Sequence, residues 1–146
     1  MRKINYIVVH CSATREGCTL TSEALEAEHR RRGFRTTGYH YYIRRDGTVL
    51  GTRSLELPGA HCRGHNKYSI GICYEGGLDA RGNPKDTRTP EQRSALHLLV
   101  YQLLQQFRNA RVCGHRDLSP DLDGDGTVEP WEWVKQCPCF EVSKAL

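Results

Sequence analysis

Two short stretches of this chain offer few polar side chains to water: Ile4-Asn5-Tyr6-Ile7-Val8-Val9-His10 and Ser69-Ile70-Gly71-Ile72-Cys73-Tyr74. Both are rich in β-branched and aromatic residues and short for helices, so they read as buried strands. A strand covered on both faces needs packed layers above and below it, which directs the chain toward a sheet between helices. Thr89-Pro90-Glu91-Gln92 is a capping box with proline at the first helical position. Leu96, Leu99, Val100, Leu103, Leu104 and Phe107 follow at helical spacing and make one apolar face. Thr21 is an N-cap candidate for a second helix that runs to about Arg32 and ends at Gly33. Residues 39–53 read as a hairpin, with Asp46-Gly47 suited to a two-residue turn that needs positive φ. Arg111-Val112-Cys113 is a further short strand leading to His115.

Strands alternate with helices and one hairpin is included, so the expected fold class is α/β, with a central mixed β-sheet flanked by α-helices. The 146 residues suffice for one core, and no repeat or linker divides them, so 1–146 reads as a single domain. Apolar residues at 38% and charged residues at 26% exclude a disordered chain. No apolar run approaches the roughly 18 residues of a membrane span, so no membrane insertion is expected. The run Ile7-Val8-Val9 stops at His10, too short for the apolar region of a signal peptide, so synthesis in the cytoplasm with reduced thiols is expected. The net charge of +4 permits an anionic partner without demanding one. Arg30-Arg31-Arg32 reads as a solvated face; no nucleic-acid partner is expected, and the chain is read as a monomer.

Seven histidines and seven cysteines supply the chemistry. His10 and His115 sit where strand ends meet loops, a place from which a rigid strand can aim a side chain into a cleft. His29 and His97 lie within helices and receive no role. A catalytic zinc takes three protein ligands from His, Cys or carboxylate and keeps one position open. Suitable types occur in His10, His115 and Cys137-Pro138-Cys139, but their spacings are long and match no short zinc signature. Spacing alone leaves zinc open, and it leaves Cys139 as a rival to Cys137.

At this point the residues resemble a family. Ile7-Val8-Val9-His10-Cys11-Ser12-Ala13-Thr14, Gly38-Tyr39-His40-Tyr41-Tyr42-Ile43 and Asp46-Gly47-Thr48 are similar to segments of the zinc N-acetylmuramoyl-L-alanine amidases. So are Gly59-Ala60-His61, Asn66, Ser69-Ile70-Gly71-Ile72, Gly114-His115-Arg116-Asp117, and Cys137-Pro138 followed by Phe140. The likeness covers residues 4–142 and is to the phage-lysozyme type, related to peptidoglycan recognition proteins. It implies a zinc cleft on one face of the sheet, with His10, His115 and Cys137 as the metal ligands. It implies that Tyr39 stands beside the attacking water, that Lys135 faces the scissile carbonyl, and that His61 lines the cleft as a substrate-binding residue. The implied activity is hydrolysis of the amide between N-acetylmuramic acid and L-alanine in bacterial peptidoglycan, by an endolysin-like enzyme of phage or prophage that reaches the wall after release. A non-catalytic peptidoglycan-binding module is the alternative, and the ligand cysteine that such modules lose is present here. The family places its ligand directly before proline, which selects Cys137 over Cys139.

The chain departs from the compact phage enzymes between Pro120 and Lys135. Six acids and no Lys or Arg lie between Asp117 and Glu132. Asp121, Asp123 and Asp125 occupy positions 1, 3 and 5 of a calcium-loop pattern, Gly126 position 6, Thr127 the backbone-carbonyl position, and Glu132 position 12. Calcium is therefore expected over 121–132, in a loop without evident flanking helices. Ordering that loop would fix what lies on either side of it, His115 and Lys135-Cys137.

Overall fold

The computed structural model describes residues 2–146. In chain order the elements are β1 (Tyr6–Cys11), β2 (Thr14–Arg15), α1 (Ser22–Arg31), β3 (Tyr41–Ile43), β4 (Val49–Gly51), β5 (Ser69–Tyr74), β6 (Gly77–Leu78), α2 (Pro90–Gln106), β7 (Arg111–Gly114) and α3 (Val142–Ala145). Five strands form the main sheet in the order β4-β3-β5-β1-β7. β1 runs parallel to both β5 and β7, β3 runs parallel to β5, and β4 is antiparallel to β3. The sheet is mixed, as expected.

Alternation along the central strands sorts their side chains into two layers. Ile7 and Val9 of β1, and Ile70, Ile72 and Tyr74 of β5, join one core with Leu96, Leu99, Val100 and Leu103 of α2. Cys73 belongs instead to a second cluster, with Tyr42 and with Leu25 of α1. Val8 pairs with Gly71 and His10 with Cys73 across the parallel ladder, so these four share the face away from α2. That parity puts His10 on the second face.

Both helix starts are built as expected. The Thr21 side chain accepts from the Ala24 N–H, and at α2 Thr89 and Gln92 exchange both bonds of the capping box. Gln92 does more than cap. It is wholly buried, and its Nε2 donates to the Ile43 and Glu75 carbonyls, tying the helix start to β3 and to the end of β5. Buried Glu75 accepts from Arg44 Nε at 2.8 Å and from the Leu20 and Arg45 N–H groups.

Three details differ from the sequence reading. The hairpin turn is a three-residue loop, Arg45-Asp46-Gly47: Arg44 N–H donates to the Thr48 carbonyl, and Gly47 takes φ +89°. A three-residue loop whose last residue is left-handed is the next commonest hairpin connection after the two-residue turns. Tyr39 and His40 precede β3 rather than belonging to it. Residues 14–15 and 77–78, to which the sequence assigned no strand, form a small parallel sheet; two-residue strands are too short to show a period.

Candidate metal centre and cleft

His10 is the penultimate residue of β1 and is 1% exposed. His115 opens the short 3-10 turn directly after β7, the strand that pairs with the other edge of β1. The chain then loops out and returns to bring in Cys137. One ring nitrogen each of His10 and His115 and the Cys137 Sγ lie within 4.8 Å of one another. The Cys11 N–H donates to Cys137 Sγ at 3.1 Å, and the Arg116 N–H donates to the Cys137 carbonyl at 2.9 Å. These two bonds fix the cysteine to the ends of β1 and β7.

Two imidazoles and one thiol converging at the end of β1 are the donor set of a catalytic zinc with an open position, so the residues present fit that metal. Burial pushes His10 well below the ordinary imidazole pKa, and His61, His115 and Lys135 add to the shift. It is therefore neutral, the form that ligates metals. Cys139 is turned elsewhere: its Sγ lies 4.0 Å from Cys11 Sγ, outside the converging trio.

The Tyr39 ring stands 5.1 Å from the His10 ring, centroid to centroid. Burial pushes its phenol well above the usual value, and the thiols of Cys73, Cys137 and Cys11 push in the same direction. Tyr39 therefore keeps its proton and is a donor. The His61 ring makes two polar contacts: its Nδ1 is 2.8 Å from His10 Nε2 and its Nε2 is 3.0 Å from Ser69 Oγ. It also borders a cleft. That cleft has a volume of about 940 Å³ and is lined by His61, His115, Lys135, Arg32, Arg63 and Arg111, among others. Its charged rim is mostly basic.

Two residues given no role from the sequence pack against the site. His29 is buried on α1, accepts from the Gly38 N–H through Nδ1 at 2.7 Å, and packs its ring 5.3 Å from that of Tyr39. Its position four residues after buried Leu25 was the available signal. Ser69 is wholly buried with its hydroxyl on His61; sharing strand parity with Gly71 and Cys73 marks it for the His10 face.

In the acidic loop, carboxylate oxygens of Asp121, Asp123, Asp125 and Glu132 lie within 4.8 Å of one another. Glu132 is 2% exposed and accepts from the Leu122, Asp123 and Glu129 N–H groups. Thr127 contributes its N–H to Asp125 Oδ1 at 2.9 Å. Glu129 is a further acid inside the loop: the Glu132 carboxylate beside it, and then Asp125, raise its pKa to about 8.

The model of the family described as N-acetylmuramoyl-L-alanine amidase matches residues 1–138. An endolysin of Klebsiella phage KP32 is 35% identical over 143 residues, covering 98% of this chain and 85% of its own. An uncharacterized protein of Haemophilus influenzae is 47% identical over 97 residues, 66% of this chain and 84% of its own. Among solved structures, the N-acetylmuramoyl-L-alanine amidase LysC from Clostridium intestinale URNW superposes with a TM-score of 0.76 at 26% identity, over 99% of this chain and 83% of that one.

Proposed function

We propose, from the premise that this chain belongs to the N-acetylmuramoyl-L-alanine amidase family, that it works through a zinc ion held by His10, His115 and Cys137. The chain is a hydrolase of peptidoglycan that cleaves the amide between N-acetylmuramic acid and L-alanine. The observation that carries the zinc reading is the convergence of those three donor atoms beside a cleft that Lys135 borders.

An amide resists water because its carbonyl is a weak electrophile and its nitrogen a poor leaving group. When bound, zinc supplies Lewis acidity that lowers the pKa of water to about 7 and so provides hydroxide near neutral pH. The protein's own groups do the rest. Cys137 binds as a thiolate, its charge shared with the Cys11 N–H. Tyr39, protonated, donates a hydrogen bond that orients the attacking water or the carbonyl. The Lys135 ammonium stabilises the oxyanion as the carbonyl carbon becomes tetrahedral, and one such donor is worth roughly 3 kcal/mol. The basic lining of the cleft suits the anionic wall polymer.

The acidic loop is the second part of the proposal: Asp121, Asp123, Asp125, Glu132 and the Thr127 carbonyl take a calcium ion. The support is the convergence of four carboxylates in a stretch without a Lys or Arg. Calcium offsets their mutual repulsion and orders the segment leading to Lys135 and Cys137. A rise in thermal midpoint on adding calcium, absent in Asp123→Ala, is expected; no response in the unaltered protein removes calcium from the account.

The main reading is tested on isolated peptidoglycan by counting new chain ends, with and without a zinc chelator. New L-alanine amino termini, no new reducing sugar ends, and loss on chelation restored by zinc are expected. New reducing ends would make it a glycosidase. No new ends from a protein that still pellets with the wall would make it a binding module.

A further inference from the structure

His61 is built into the wall between the cleft and His10, and its surroundings are shaped to its ring. A Cβ placed on Gly59 would fall 2.3 Å from His61 Cδ2, and one on Gly71 would fall 2.7 Å from both Cγ and Cδ2. Neither glycine takes a positive φ, so the missing side chains make room rather than permit a turn. The two ring nitrogens reach His10 Nε2 and Ser69 Oγ, and His10 and Ser69 are both buried. His61 itself is outside the group of donors that converge with His115 and Cys137.

We propose that His61, held by Ser69, is the positioning residue for His10: its Nδ1 accepts the Nε2 proton of His10 while its own Nε2 proton goes to Ser69 Oγ. The inference rests on His10, His115 and Cys137 being the zinc centre. It follows from proton counting. A neutral imidazole has one N–H and one lone pair. The 2.8 Å contact between two ring nitrogens needs one proton between them. If His61 Nδ1 supplied it, the His10 lone pair would be spent on His61 and its remaining nitrogen would carry the proton. His10 could then ligate nothing. If His10 Nε2 supplies it, the Nδ1 lone pair of His10 is left for the metal. His61 Nε2 then bears a proton, and Ser69 Oγ at 3.0 Å is the acceptor. Ser69 thus sets the tautomer of His61, and His61 sets the tautomer and ring plane of His10. A ligand histidine whose second nitrogen is anchored in this way is the arrangement that tightens metal sites.

The test is the zinc dissociation constant of the metal-stripped full-length protein, read by competition with a chromophoric chelator, with circular dichroism as the folding check. His61→Phe is expected to weaken zinc binding by about 10- to 100-fold. Ser69→Ala is expected to weaken it by a smaller factor. His61→Asn is expected to recover most of the loss, because Oδ1 can accept from near the Nδ1 position. The cobalt-substituted protein gives a second readout: the thiolate-to-metal band is expected to shift in His61→Phe and to return in His61→Asn. Zinc affinity equal to wild type in His61→Phe, with KM for peptidoglycan raised, overturns the proposal and makes His61 a substrate contact. Equal losses in the Phe and Asn variants overturn it too. Should His61→Phe not fold, an unchanged zinc affinity in Ser69→Ala decides against it. A wild-type chain that binds no zinc removes the metal centre itself, an outcome separate from the rest.

Discussion

Replacing Gly71 by alanine asks whether this glycine sits mid-strand only to admit the His61 ring. Its backbone takes no positive φ, so alanine meets no conformational penalty there. The new Cβ would lie 2.7 Å from His61 Cγ and Cδ2 and 3.0 Å from Nδ1, against an ordinary contact of 3.4–4 Å. The ring has to retreat by roughly 0.7 Å to restore van der Waals contact. It cannot do so freely, because its two nitrogens are tied to His10 and Ser69 and Gly59 packs against Cδ2. Overpacking of this kind costs about 1–3 kcal/mol. A retreat of that size also stretches the 2.8 Å bond to His10 past useful length, a further loss of about 1 kcal/mol. Gly71→Ala is thus expected to destabilise by about 2–4 kcal/mol. In a His61→Ala background the clash is gone, and alanine for glycine should be neutral or stabilising by up to about 1 kcal/mol through the unfolded chain. The destabilisation is therefore abolished, or its sign reversed, in the second background. Urea unfolding of the four proteins, followed by circular dichroism with chelator present, measures the coupling. Additivity within about 0.5 kcal/mol would refute the argument that Gly71 and His61 are matched in shape.

Lys135→Ala is expected to lower kcat about 100- to 1000-fold, with zinc content unchanged, as measured by metal analysis beside turnover. Cys137→Ser should lose zinc on dialysis, whereas Cys139→Ser should retain both zinc and activity; the reverse pattern would exchange their roles. Tyr39→Phe should lower kcat without moving the alkaline limb of the pH profile, because burial holds the Tyr39 phenol protonated well above its usual range. The acidic loop carries a pH prediction with a definite sign. Glu129 is raised from 4.5 to about 8 in the folded chain, so with calcium chelated its contribution is intact below about pH 4.5 and is lost as pH rises toward 8. Proteolysis of residues 121–132 should accelerate over that window, calcium should suppress the rise, and Glu129→Gln should flatten it.

The parts of this molecule legible in the sequence are those specified locally. The capping box at Thr89 and the apolar spacing from Leu96 to Leu103 lie within one helix, and the apolar runs of β1 and β5 announce burial without reference to a partner. What was hidden depends on register. His10 faces Ser69, Gly71 and Cys73 because β1 pairs in parallel with β5 at a particular offset, and no property of either strand alone states that offset. The same holds for the glycines. Gly71 in isolation looks like a weak point in a strand, and Gly59 like part of a loop; their meaning is a ring that arrives from His61. His29 failed to stand out because a helical histidine is usually solvated, although Leu25 one turn earlier already pointed its face inward. The proposed ligand trio is the sharpest case. Spacing from His10 to His115 to Cys137 could not select zinc, or Cys137 over Cys139, until resemblance supplied the roles. The physical reason is that the site is assembled by the sheet order: β1 lies between β5 and β7, so its C-terminal end is where His61, His115 and the returning Cys137 all meet His10. A group of donors distributed over three distant segments is specified by topology, and topology is written in pairings between segments rather than in any one of them.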